Sequence, residues 1–195
     1  MYARHPTPYG KGIAGAIQEA RVRAVLSLAR LTSGDSVLEI GCEGGGLLAR
    51  LPPCVKIAAC DVSLGALGHA RERLHSLGRN VDLYHADAET SLPFAAGEFS
   101  AIICSEVLEH VASPRKVVRN IHSISTQETK VVFTVPIEWL KTRMKGILKK
   151  LHLLDRLFPA IEEGRSEWHL HAFSDRMVRC LLKGLFVVER TAWPW

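Results

Sequence analysis

The sequence has no cysteines in C-x-x-C spacing, and its five cysteines (Cys42, Cys54, Cys60, Cys104, Cys180) are odd in number. A disulfide framework and a zinc ribbon are therefore not expected, and a reducing compartment fits best. No apolar run reaches the length of a membrane span. The opening "MYARHPTPYGKG" lacks the apolar segment of a signal peptide, so a cytoplasmic location is expected. Internal repeats, low-complexity tracts and lipidation motifs are missing too. A broad basic face is also lacking. Of the net charge of +5, residues 138–158 alone hold +4, as six Lys/Arg against Glu138 and Asp155. General nucleic-acid binding is not indicated.

What is present is an ordinary globular composition, 47% hydrophobic and 23% charged, over 195 residues. That suits a single domain, 1–195, with a full core. Helix-like and strand-like segments alternate. Residues 13–31 carry Ile17, Val22, Val25, Leu26 and Leu28 at helical spacing. "VLEI", "KIAAC", "VDLYHAD", "SAIICSE" and "KVVFTVP" read as buried strands. "LLARL" starts a helix that Pro52 and Pro53 stop. Two more helices follow Ser63 and Ser113, each serine a candidate cap. The pattern predicts an α/β fold, doubly wound, with a mostly parallel sheet and helices on both faces. After Pro136 the period changes. Residues 139–158 form an amphipathic pattern, with Met144, Ile147, Leu148, Leu151 and Leu154 opposite Lys141, Lys145 and Lys149. Residues 137–172 are read as a helical lid over an acceptor site. A helix after Ser174 and a final strand "LFVVER" complete the chain.

The chemistry lies at strand ends. "VLEIGCEGGG" runs from a strand into a glycine turn, with Glu43 where such a turn most wants glycine. The next strand ends at Asp61, placed to accept from ribose hydroxyls. The third ends at Asp87, with Glu89 close behind as an alternative. Three carboxylates at successive strand ends, Glu39, Asp61 and Asp87, suit a nucleoside without phosphates. The G-x-G-x-x-G spacing of a dinucleotide loop is not met.

The runs "VLEIGCEGGGLLARL", "ACDVS" and "HADAETSLPFAAGEFSAIICSEVLEHVASPRKVVRNI" closely resemble the class I S-adenosylmethionine-dependent methyltransferases, in particular their small-molecule O-methyltransferase branch. The resemblance covers about residues 36–136. It implies S-adenosylmethionine as cofactor. Glu39, Gly41, Cys42, Glu43 and Gly45 would then form the loop under the methionine moiety. Asp61 would hold the ribose, with Val62 against the adenine. Asp87 and Ala88 would lie at the adenine edge, and Ser105 and Glu106 near the methyl group. The Glu43 side chain is expected to point away from the cofactor's carboxylate. The family's seventh strand is not matched before Trp195, which predicts a six-stranded sheet or a partner along its edge, and leaves a homo-oligomer open.

His169 and His171 in "WHLH" are the candidates for a general base on an acceptor hydroxyl. A structural pair is the plainer reading. A metal is not expected, because no third ligand is obvious. Glu109 and His110 read as packing groups, and Cys42 and Cys104 as buried small residues rather than nucleophiles. The function expected is methyl transfer to a small or lipid-like acceptor, O-methylation first. The basic face of the lid is either solvated or turned to an anionic or membrane-surface acceptor. An RNA methyltransferase and a non-catalytic cofactor-binding partner protein are the rivals.

Overall fold

The computed structural model describes residues 13–53, 55–136 and 169–193. The lid pattern at 139–158, and all of 137–172 except residues 169–172, lies outside them. The described elements, in order, are α1 (Ile13–Ala29), β1 (Ser36–Ile40), a 3₁₀ turn (Leu48–Arg50), β2 (Lys56–Asp61), α2 (Leu64–Ser76), β3 (Asp82–His85), β4 (Ala101–Ser105), α3 (Pro114–Ile124), β5 (Lys130–Thr134) and α4 (Asp175–Leu182).

The five strands form one sheet in the order β3-β2-β1-β4-β5, and every pairing is parallel. The expected doubly wound α/β sandwich is what the chain adopts. Its central strands are buried on both sides, as their apolar runs require. On one face Val37, Ile57, Ala59 and Ile103 pack with Val25 of α1 and with Leu67 and Leu74 of α2. On the other, Leu38, Ile40, Ile102 and Cys104 pack with Val117 and Ile121 of α3, Leu182 of α4 and Phe173. Order reverses between β1 and β4. That switch point opens a crevice beyond the strands' carboxyl ends.

Two elements differ from expectation. The helix after the glycine turn shrinks to one 3₁₀ turn, because Pro52 and Pro53 remove the donors a longer helix would need. Arg79 takes over its carbonyls, donating to Leu51 O at 2.6 Å and Pro52 O at 3.0 Å. "LFVVER" forms no strand among the described residues. Phe186 instead lies edge-on to Phe133 of β5 and His122 of α3, at 5.7 and 5.4 Å. Phe186 is half-buried there against the core of that face, while Val187 remains 90% exposed. The described sheet therefore has five strands, not six.

Helix caps follow the serines in two cases of three. Ser63 and Ser174 accept from Ala66 N and Met177 N. Ser113 makes no side-chain cap bond. Glu89 does that work, accepting from Ala112 N at 3.1 Å and Ser113 N at 2.6 Å.

Candidate active site

β1 ends at Ile40 opposite Cys60 of β2 and Cys104 of β4, so the residues just past these strands converge. Gly41 turns the chain at φ +73, and a β-carbon there would collide with Val107 just past β4. Gly45, at φ +69, would put one 3.1 Å from the backbone of Ala70 in α2. Both glycines let the loop press against its neighbours.

Glu43 sits between them at φ +49. A non-glycine residue pays about 1 kcal/mol or more in this region. What holds it is Asp61: the Glu43 N–H donates to Asp61 Oδ2 at 3.0 Å, and the Ser63 N–H to Oδ1 at 2.8 Å. Asp61 thus ties loop to strand end. An ionised carboxylate has about four acceptor positions, and the backbone N–H groups of Ser63, Glu43 and Val62 leave room for a ligand donor.

Glu39 is 3% exposed, facing the α1–α2 layer. Burial, then the Asp61 and Glu43 charges, push its carboxyl well above the ordinary carboxylate range; the Leu48 N–H and Arg21 pull it back. Among the described residues, its buried Oε2 meets no hydrogen-bond donor. Asp61 is raised as well, by burial first, against the N–H groups of Ser63 and Glu43. Cys42, Cys60 and Cys104 are buried. Burial drives all three thiols upward, Cys60 to about 12, so none is a ready nucleophile.

The family model for a methyltransferase domain matches residues 37–128, the stretch that builds this crevice. Over this stretch the chain is similar to methyltransferase domains, built on the all-parallel sheet described above. Over 127 residues it is 34% identical to a ubiquinone biosynthesis O-methyltransferase of Aromatoleum aromaticum, covering 64% of this chain and 54% of that one. The chain spans about half the length of the curated relatives it matches. In fold it is similar to the YcgJ protein of Bacillus subtilis, with a TM-score of 0.65, 20% identity, and 85% of this chain and 66% of that one covered. It is also similar to the N-methyltransferase NodS of Bradyrhizobium japonicum, solved with S-adenosyl-L-homocysteine. There the TM-score is 0.57, identity 21%, and coverage 68% and 67%.

Around this crevice the named residues divide. Glu39, Gly41, Cys42, Glu43, Gly45 and Asp61 gather around one loop. Val62 follows, 51% exposed, with its carbonyl 3.0 Å from His85 Nε2. Asp87 lies two residues past β3, not at its end. Its carboxylate takes the Glu89 N–H at 2.8 Å and the Thr90 hydroxyl at 3.1 Å, so it first serves its own turn. Ala88 is held by Asn120, whose Nδ2 donates to its carbonyl at 2.8 Å. Ser105 Oγ lies 2.9 Å from Thr134 Oγ1. Glu106 stands at φ +56. It accepts from Thr134 Oγ1 at 3.1 Å and pairs with Arg21 Nη1 at 2.6 Å.

The two histidines separate. Residues 169–171 dock along 109–111, with the Leu170 and His171 N–H groups both donating to Glu109 O at 2.7 and 3.3 Å. His171 Nε2 lies 2.9 Å from Val111 O, a tether. His169 meets His110 edge-on, ring centroids 4.9 Å apart. Glu109 is 1% exposed, and its Oε1 lies 3.9 Å from His110 Nε2. Ligand atoms of Glu109, His110 and His169 all fall within 4.8 Å of one another. The cluster takes only His169 of the H-x-H pair and joins it to Glu109 and His110, which the sequence read as packing groups. These are the residues that could hold a cation.

Sequence reasoning missed Arg21, Thr134 and the docking role of Glu89. Arg21 had a signal. It lies four residues after Ile17 and four before Val25, a lone cation in a core-facing row. Thr134 had none, because its role depends on the β4–β5 register, Ser105 beside Thr134.

Proposed function

We propose that this chain transfers a methyl group from S-adenosylmethionine to an oxygen of a small or lipid-like acceptor. The observation that carries this reading is the pair of part-buried and buried carboxylates, Asp61 and Glu39, at neighbouring strand ends under one glycine loop. The cofactor fits them. It has a ribose diol for Asp61, an ammonium for the donor-poor Oε2 of Glu39, and no phosphate to be repelled. The named relatives support oxygen as the accepting atom.

Bound S-adenosylmethionine supplies an electrophilic methyl group. The chain's own work is to hold the acceptor in line and to keep water out, with entropy of positioning the main gain. An acceptor hydroxyl must lose its proton, and His169 is the group for that, oriented by His110 and Glu109. We take residues 1–195 as one domain, with 137–172 shaping the acceptor pocket and its lysines suited to an anionic or membrane-surface acceptor.

The test is calorimetry with S-adenosylhomocysteine, followed by label transfer from radioactive cofactor to phenolic and lipid-phenol acceptors. Saturable binding with transfer to oxygen is expected. Native protein that gives no saturation would end the proposal. A second reading is favoured by one observation, the close ligand atoms of Glu109, His110 and His169. There the cluster holds a divalent cation that binds the acceptor oxygen. Transfer that survives a chelator supports the proton relay; transfer lost and restored by added metal supports the cation.

A further inference from the structure

The cofactor read into this crevice ends in an amino acid, which brings two opposite charges on one carbon. Glu39 answers the ammonium. Arg21 reaches over from α1 to Glu106, just past β4, beside the turn that follows β1. A guanidinium at those strand ends suits the carboxylate of the same moiety. Yet Arg21 already has a carboxylate, Glu106 Oε2, at 2.6 Å. Glu106 is held for that task. Its N–H donates to Thr134 O at 3.2 Å and Thr134 Oγ1 at 3.1 Å, and its Oε1 accepts from the same hydroxyl. Its backbone stays left-handed to do so. A part-buried, charge-assisted pair of this length is among the stronger kinds.

We propose that Glu106 is a built-in competitor for the cofactor's carboxylate, holding Arg21 until the cofactor takes it. This rests on the cofactor reading above. One guanidinium can receive both carboxylates only at a cost in like-charge repulsion. Cofactor entry thus releases Glu106 from Arg21, and that carboxylate becomes available on the β4 side, beside the residues assigned to the acceptor. Cofactor binding and the charge presented to the acceptor are then linked by one exchange of partners.

The experiment compares two ligands by calorimetry. S-adenosylhomocysteine carries the carboxylate; 5′-methylthioadenosine keeps the nucleoside and lacks the amino acid. Glu106→Gln still accepts from Thr134 but gives Arg21 a neutral partner. It is expected to bind S-adenosylhomocysteine about three- to fivefold tighter and methylthioadenosine with unchanged affinity. Glu106→Asp, a carboxylate too short to keep the contact, should shift the same way and stands in if the glutamine variant folds poorly. Arg21→Met should weaken only S-adenosylhomocysteine. Glu106 variants that bind S-adenosylhomocysteine no tighter, or that tighten both ligands alike, overturn the inference while the cofactor reading stands. Wild-type protein that binds neither ligand overturns both.

Discussion

On the β2 side of the switch point, a short local stretch makes the contacts. Asp61 takes N–H groups from Glu43 and Ser63, and Glu39 lies beneath them in β1. On the β4 side the parts come from far apart. Arg21 arrives from α1, Thr134 from β5, and His169 from beyond the segment 137–168 to stand against His110. The first side is backbone-fixed and suits a constant ligand. The second is assembled from side chains on several elements, each replaceable alone, and suits an acceptor that varies. On the proposed function, one fold thus pairs a rigid cofactor half with an adjustable acceptor half.

The sharpest way to break that division is at the histidines. His169→Ala should lower kcat by about 10²–10⁴-fold if it is the base, with S-adenosylhomocysteine affinity unchanged by calorimetry. His171→Ala, which loses its contact to Val111 O and its ring contact with Phe173, should lower the melting temperature and cost about 1 kcal/mol of stability while kcat at low temperature stays. Equal losses of kcat in both would erase the distinction.

Asp61→Ala probes the rigid half. It should weaken S-adenosylhomocysteine by about 1–3 kcal/mol and loosen the loop, since Glu43 and Ser63 lose their acceptor. Unchanged affinity removes Asp61 from the site.

Glu43→Gly relieves a left-handed residue. It should stabilise the fold by about 1 kcal/mol in denaturant melts, with only a small change in cofactor affinity. A large affinity loss would make Glu43 a ligand.

The smallest effect concerns pH. The carboxyl of Glu39 is raised in the folded protein. An acid so raised binds its proton more tightly folded than unfolded. Its stabilising share is complete below the ordinary carboxylate pKa and is lost as pH rises through the raised one. Glu39→Gln should therefore flatten the fall in stability over that window, read by melts across pH. A wild-type curve already flat there would show that Glu39 gains a compensating donor.

Much of the cofactor half was legible in the chain. "VLEIGCEGGG" and "ACDVS" are contiguous, and their chemistry lies within a few residues of each strand end. Ser63 could be read as a cap from its place before α2. Glu89 and Ser113 could not, because the capping carboxylate comes from 24 positions away. The same holds for "LFVVER", whose period fits a strand but whose Phe186 found a better place against Phe133 and His122. The matched strand order extends the reading to the fold.

By itself, the sequence determined the parallel α/β sandwich, because buried strands and amphipathic helices write their periods locally. It also placed the glycine loop and the carboxylates Glu39 and Asp61 at neighbouring strand ends. Only the tertiary structure decided which histidine meets Glu109 and His110, that Arg21 is held by Glu106, and that the sheet's described strands number five. Those depend on contacts between residues tens of positions apart, where distance along the chain carries no information about distance in space.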